Sequence, residues 1–277
     1  MNKLTLLVVL LFLGFNNLCY GQCSSGQTTT SFSFTGAIEQ FTVPTGVTSI
    51  TMIVTGADGG GNTTSNGGSG GTVSATFAVV AGEVLDIVVG EAGSSTTATG
   101  TGDGGGGGGG SAVRRNTSNN ILLNAGAGGG AGLGGGGGGN LFANLPSSSP
   151  THFGAAGETT PGGSDGGFGA SRGRAGFPQS SVNAGGSGGG SINGPIGANF
   201  APSFGGFYYI NPINISSDPV VQGVDGGGMN ANGSVVFCYN LPQQSIPTMS
   251  QWGLIIFGLL IMNLGLVFLS KKEKLLS

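Results

Sequence analysis

The sequence of 277 residues is poor in charge: only 7% of its residues are Asp, Glu, Lys or Arg, and the formal net charge is -3. Eight basic residues in the whole chain cannot form the dense basic surface that neutralises a phosphate backbone. DNA and RNA are therefore excluded as expected partners. The composition also departs from the usual charged shell around an apolar core.

Histidine is nearly absent as well, since His152 is the only one, after a Ser- and Pro-rich segment at 146–151. A serine-hydrolase triad needs a histidine held between an acid and a nucleophile. The pattern Gly-x-Ser-x-Gly occurs at 67–71 and 185–189, but it lacks the strand–turn–helix context, and 62 glycines produce it by chance. We expect no catalytic residues, no cofactor and no enzymatic activity.

No repeat of calcium-binding nonapeptides is present either. Several acidic residues do border glycine turns, but Asp is common at turns because its side chain hydrogen-bonds the local backbone. We therefore predict no metal site. The acidic residues considered for calcium are Asp58, Asp103, Asp165 and Asp225.

The N-terminal segment 1–21 has the three parts of a secretory signal peptide: Lys3, an apolar run from Leu4 to Phe15, and a small-residue approach to Gly21. The apolar run is too short to cross a hydrocarbon core, which needs about 20 residues. Neither Cys19 nor Cys23 follows the small residue that a lipoprotein signal requires. We expect export, with cleavage after Gly21.

Cysteine is scarce, with three in the chain. Cleavage after Gly21 would leave Cys23 and Cys238, an even number in a compartment that permits disulfides. These two either form a disulfide or remain buried thiols, and we expect the disulfide. It would bracket the whole domain predicted at 22–240.

The C-terminal tail, 241–277, contains an almost wholly apolar run from Trp252 to Leu269. Its length is close to the roughly 20 helical residues that span a bilayer. The positive-inside rule places the basic residues after the run in the cytoplasm and the domain before it outside. The tail predicts one transmembrane helix at about 252–269, with a basic end at 271–274 formed by Lys271, Lys272 and Lys274.

A short motif overlaps the start of this run and reads Ile246-Pro247-Thr248-Met249-Ser250-Gln251-Trp252-Gly253. It resembles the IPTL-type C-terminal sorting domain of bacterial surface proteins, whose pattern is Ile-Pro-Thr-Leu-x-x-Trp-Gly, with Met249 as a volume-conserving replacement of Leu. The resemblance implies recognition by an exosortase-type membrane protease, cleavage near the motif and release toward the envelope or exterior. The alternative is a plain single-pass anchor.

Between 22 and 240, apolar and polar residues alternate with period two in several short runs, as in half-buried strands. Turns are expected at 43–46 and 80–83. No amphipathic helix of useful length is present, so we predict an all-β fold, an antiparallel β-sandwich whose termini lie close together. The inward residues are predicted to be Phe32, Phe34, Phe41, Val43, Ile50, Met52, Val54, Val73, Ala75, Phe77, Val79, Leu85, Ile87, Val89, Val235, Phe237 and Tyr239.

Glycine runs interrupt the alternation, and a glycine in a helix or strand interior costs about 0.5–1 kcal/mol. Polyproline II helices, with three residues per turn, tolerate glycine and let backbones approach closely. The runs either pack as such helices or serve as flexible loops. They stand at 104–110, 128–130, 134–139, 188–190 and 226–228.

A second resemblance rests on Phe-Thr-Gly-x-x-x-x-Phe-Thr-Val-Pro-x-Gly-Val-Thr-Ser-Ile-Thr at 34–51, the run at 104–110 and Ser-Ala-Val-Arg at 111–114. These residues resemble the glycine-rich domain of many bacterial surface proteins and of anaplastic-lymphoma-type receptor kinases. The resemblance implies a jelly-roll-like sandwich with inserted glycine helices. In the receptors this domain takes part in ligand binding. For a bacterial member the resemblance implies exposure of the domain on the cell surface and a role in adhesion or binding. The Asp that often precedes Val-Arg in the family is missing here.

These features favour an exported, non-catalytic, structural or adhesive protein of the bacterial surface. The alternative is a surface module that binds a glycan or a protein ligand, because Phe207, Tyr208 and Tyr209 form an aromatic group that can stack on sugars or anchor a partner. The same aromatics can equally belong to the core. An extracellular hydrolase and an ice-binding protein are remoter alternatives.

Overall fold

The computed structural model describes most of the domain and the helical part of the tail, as two compact units, 1–241 and 242–277. The predicted signal peptide, His152, Asp103, Asp165, Asp225, Phe207, the runs at 134–139 and 188–190, and residues 246–248 of the sorting motif lie outside the described residues. The described residues are 23–63, 65–96, 104–118, 120–131, 169, 208–213, 215–217, 219–222, 227–228, 230–242 and 249–274.

The first unit is built from β-strands, and the described residues form twelve of them. The strands are β1 Thr28–Ser33, β2 Glu39–Thr42, β3 Ser49–Thr55, β4 Gly67–Gly68, β5 Thr72–Ala78, β6 Val84–Val88, β7 Ser111–Arg115, β8 Ile121–Ala125, β9 Tyr209–Ile210, β10 Val220–Gln222, β11 Gly227–Gly228 and β12 Ser234–Tyr239.

Two five-stranded antiparallel sheets pack as a sandwich. The first sheet has the order β1-β12-β3-β5-β10 and the second the order β2-β6-β7-β8-β9, while β4 and β11 form a separate pair. Alternation along the strands places Met52, Phe77 and Phe237 of the first sheet, and Leu85 and Ile87 of the second, in one core with no exposed surface. The predicted β-sandwich is confirmed.

The inward residues predicted from the period-two pattern all belong to this core or pack against it. The turn predicted at 80–83 is present, whereas the turn predicted at 43–46 lies one residue later, at 44–47. Gly82 and Gly46 occupy the left-handed region in these turns, at φ 82° and 83°. Val47 N–H donates to the Pro44 carbonyl, and Glu83 N–H donates to the Val80 carbonyl. Glycine adopts positive φ without steric cost, which explains its place in each turn.

The predicted disulfide between Cys23 and Cys238 is present, with the two Cα atoms 5.3 Å apart. Cys238 lies in β12, directly opposite Thr29 of β1. The bond therefore fastens the start of the first strand to the last strand, and the two ends of the domain lie side by side.

The described residues of the second unit form one helix, α1, Met249–Lys274, apart from Pro242. It begins before the predicted start at residue 252 and ends after the predicted end at 269. Pro247 is followed directly by helix-compatible residues, and lysines near a helix C-terminus are favoured by the helix dipole. The predicted span and its basic end thus form one continuous helix.

Side chains of α1 are described for residues 252–265. In the described part of the chain, no helix has both the length and the apolar character needed to cross a membrane. The span at about 252–269 stays a prediction.

Candidate functional site

The strongest candidate for a functional element is a glycine bundle at one end of the sandwich. Six strands, three from each sheet, adjoin glycine-bearing segments there. The segments follow β3, β6 and β8 in the chain and precede β5, β7 and β12. The glycine bundle consists of residues 56–61, 67–71, 90–96, 104–110, 126–131 and the described residues of 227–233.

Hydrogen bonds within the bundle recur every third residue. In the segment 104–110, Gly105 and Gly108 N–H donate to the carbonyls of Ala131 and Gly128, both at 2.9 Å. The next residues along, Gly106 and Gly109, donate to the carbonyls of Ser94 and Glu91, again at 2.9 Å. Three residues per turn is the period of a polyproline II helix, whose backbone groups point outward to neighbouring chains.

The segment 56–61 is the centre of the bundle, because it exchanges backbone hydrogen bonds with each of the other segments. Its partners come from both sheets, so the two layers of the sandwich merge at this end. The bonds are Gly56 N–H to Gly71 O, Ala57 to Gly109, Asp58 to Ala231, Gly59 to Gly68, Gly60 to Gly106, and, in the reverse direction, Gly128 to Ala57, Ala131 to Gly60, Gly93 to Asp58 and Thr96 to Gly61.

Glycine is required in the bundle because the segments touch through their backbones. A Cβ atom built on Gly105 would overlap the carbonyl oxygen of Gly60, and one on Gly128 would overlap that of Gly68. Sheets that carry side chains pack about 10 Å apart. Removing the side chains lets the layers close until backbone groups hydrogen-bond across the gap.

Asp58 supplies the bundle with a carboxylate that binds the backbone. Its Oδ1 accepts from Gly70 N–H at 2.9 Å, and its Oδ2 accepts from Ala231 N–H at 3.0 Å. The side chain therefore joins the segments 67–71 and 227–233 to the central one. Both bonds reach distant parts of the chain, so they differ from the local turn bonds expected for Asp beside glycine. No cluster of metal-ligating residues occurs among the described residues.

A second polar feature lies on the outward face of the second sheet and was missed from the sequence. Asp86 of β6 is only 2% exposed, and its carboxylate receives Arg114 Nε and Nη2, both at 3.0 Å, from β7. Gln40 of β2 and Asn116 donate to its other oxygen at 3.1 and 2.9 Å. Four donors satisfy the buried charge, so the group joins three chain segments as a structural clasp. A lone Asp between Leu85 and Ile87 was the only sequence signal.

The two tyrosines proposed as a binding surface are separated by the sheet. Tyr208 is half-buried and packs against the core, as does Ile210. Tyr209 lies between them in the edge strand β9, pairs with Asn124 of β8 and is half-buried on the opposite face. The structure therefore does not bring Tyr208 and Tyr209 together on one face.

The described side chains of the predicted sorting tail are apolar on its surface, with Asn263 as the strongly polar exception. Trp252 is 49% exposed, and the apolar side chains after it are exposed around the whole helix. Gly253 has open space around it. Asn263, the only strongly polar residue within the predicted span, donates from Nδ2 to the carbonyl of Leu259 at 2.9 Å. The backbones of Met249, Lys271, Lys272 and Lys274 lie within α1.

Comparison with protein-family models gives no match for this chain, and no curated protein is significantly similar to it. The two resemblances therefore remain predictions that rest on the residues quoted for them.

Proposed function

We propose that this chain is an exported, non-catalytic protein of the bacterial cell surface with a structural or adhesive role. Its C-terminal tail is a sorting signal that holds the precursor in the membrane until an exosortase-type protease processes it. The domain 22–240 is then the part that acts outside the cell.

The observation that carries the proposal is the disulfide between Cys23 and Cys238. Structural disulfides persist in oxidising compartments and are rare in the cytosol. The bond joins residues close to the two ends of the domain, so it forms only after nearly the whole domain has left the cytosol. It agrees with the signal peptide predicted at 1–21.

The glycine bundle supports a structural role. Its three-residue hydrogen-bond period, and the negative φ of its described glycines, favour polyproline II helices inserted into a jelly-roll-like sandwich. Backbone hydrogen bonds between six segments, supplemented by the Asp58 carboxylate, resist bending. A stiff domain of low charge suits exposure on a cell surface.

The tail supports membrane transit. Apart from Asn263, the described side chains of α1 are apolar on every side, a pattern typical of a membrane span or of a helix inside a large core. The lysines at its end favour the membrane. Asn263 satisfies its amide N–H on the helix backbone, as a polar residue within lipid must. Trp252 stands where an interfacial aromatic anchor belongs.

Substitutions in the motif test the sorting role. We expect Trp252→Ala and Pro247→Ala to leave an unprocessed precursor in the membrane fraction, with surface antibody labelling reduced about tenfold, while Gln251→Ala at a variable motif position behaves as wild type. Mass spectrometry of both mature termini measures the processing. Unchanged display and processing of Trp252→Ala would refute the sorting proposal.

The alternative function, binding of a glycan or protein ligand through Tyr208 and Tyr209, gains less support. Tyr208 already packs against the core, and only Tyr209 is turned toward the outer face. A single half-buried aromatic offers little of the stacking surface that such a site uses.

A further inference from the structure

The strand β1 forms one edge of the first sheet, and it differs from the other three edge strands. Edge strands carry unpaired backbone groups, and proteins usually protect them with charge, proline or short length. β2 carries Glu39, β9 has two residues and is followed closely by Pro212, and β10 has three residues and follows Pro219. Each of these edges is protected.

β1 has none of these protections. Its six residues, Thr-Thr-Thr-Ser-Phe-Ser, contain no charge, proline or glycine, and all six pair with β12 without a bulge. Along its other edge it has no strand partner among the described residues. Its outward side chains, Thr29, Ser31 and Ser33, are exposed.

The edge is also held rigidly. The disulfide fixes Cys23 to Cys238 just before β1 begins, and the Thr30 hydroxyl bonds the Tyr239 hydroxyl at 3.1 Å. On the inner side, Phe32 packs edge-on against Phe41 and Phe237, with ring centroids 6.2 and 5.3 Å apart. A preformed strand loses little conformational entropy when another strand pairs with it.

We propose that β1 pairs with β1 of a second copy of this chain, so that two first sheets join into one antiparallel ten-stranded sheet. An antiparallel pair centred on Ser31 keeps the outward faces of both sheets on the same side, with Thr29 opposite Ser33. Because the strand is uncharged, two copies meet without repulsion. Strand addition at an exposed edge is a common mode of recognition.

The direction of β1 in the domain indicates that the two paired copies belong to the surfaces of two different cells that face each other. Ser33 pairs with Ser234 at the bundle end of the sandwich, whereas Thr28 pairs with Tyr239 at the end where the domain finishes at Leu241. Antiparallel pairing therefore places Leu241 of one copy and Leu241 of the other at opposite ends of the joined sheet. Given the proposed surface function, the contact provides adhesion between like cells.

Charge exchange at the centre of the strand tests the pairing. The full chain in detergent should dimerise in sedimentation experiments, and Ser31→Lys or Ser31→Glu alone should weaken dimerisation at least about tenfold, because like charges face each other. An equimolar mixture of the two variants should dimerise again. Ser49→Lys, an exposed position on β3, is the matched control and should dimerise as wild type.

A monomeric wild-type chain overturns the inference. So does equal dimerisation of Ser31→Lys and Ser49→Lys, or a mixture that fails to recover, since misfolding is not rescued by mixing. On cells, those displaying Ser31→Lys should aggregate only with cells displaying Ser31→Glu. Dimerisation in detergent without display on cells would refute the proposed function and leave the strand pairing intact.

Discussion

At the scale of single residues, the described glycines of the β domain fall into two groups with different physical roles. Gly46 and Gly82 serve turns through positive φ, and Gly82 has no atom within 4 Å of an added Cβ. Glycines of the bundle have ordinary φ, and they are needed because a neighbouring backbone occupies the place of a Cβ. The sequence shows where glycines are abundant, but it does not show which backbone each one faces.

This difference predicts unequal costs for the same substitution. Gly105→Ala would place a methyl group onto the carbonyl of Gly60, so we expect the free energy of unfolding to fall by about 3 kcal/mol. Gly82→Ala should lower the free energy of unfolding by about 1–2 kcal/mol, because an alanine there has room for its methyl group but must adopt a left-handed backbone conformation. Urea denaturation of both variants measures the two values, and equal losses would contradict tight backbone packing at Gly105.

At the scale of elements, strands whose residues alternate between apolar and polar could be predicted, including β6, in which four of five residues are buried. Strands without that alternation could not. β3, β5 and β12 alternate between core and surface, which is the pattern visible in the sequence. All five residues of β8 are buried, so alternation is lost, and β7 directly follows a glycine run. β9 and β10 have only two and three residues, too few to show a period.

The clasp between β6 and β7 gives a prediction at this scale. Asp86→Ala removes a buried carboxylate and leaves Arg114 without its ion-pair partner, so we expect a loss of about 3 kcal/mol in unfolding free energy. Removing one partner of a buried ion pair costs about 3–5 kcal/mol, and the value here is at the lower end because the Arg114 side chain is 22% exposed.

A double-mutant cycle separates the clasp from simple loss of packing. Asp86→Ala combined with Arg114→Ala should cost less than the sum of the single variants, with a coupling of about 1–2 kcal/mol. Glu39→Ala on β2 is the control and should change stability by no more than about 0.5 kcal/mol. Additive effects in thermal or urea unfolding would show that the two side chains act independently.

At the scale of the whole molecule, the sequence predicted that the domain ends meet, because Cys23 and Cys238 bracket it. It could not predict that six strands from two sheets lead into one bundle. Period-two patterns identify strands one at a time, whereas the pairing of 56–61 with 104–110 or 126–131 depends on contacts between distant parts of the chain. The order β1-β12-β3-β5-β10 is non-local in the same way.

The distribution of trypsin sites makes the disulfide testable on the intact molecule. No lysine occurs between Lys3 and Lys271, and the four arginines are Arg114, Arg115, Arg172 and Arg174. The first two lie in β7, between β6 and β8, and form ion pairs with Asp86 and Glu83. We therefore expect trypsin to cut within the folded domain only after Arg172 and Arg174.

Such a cut separates Cys23 from Cys238 in sequence while the disulfide still joins the two fragments. On denaturing gels the cleaved domain should run as one species without reductant and as two with it. The double variant Cys23→Ser with Cys238→Ser should give two species in both cases, and it should lose about 3–5 kcal/mol of stability because its unfolded chain is no longer constrained. Separation of wild-type fragments without reductant, or cleavage of the folded chain after Arg114, would contradict a sandwich closed by the disulfide between Cys23 and Cys238.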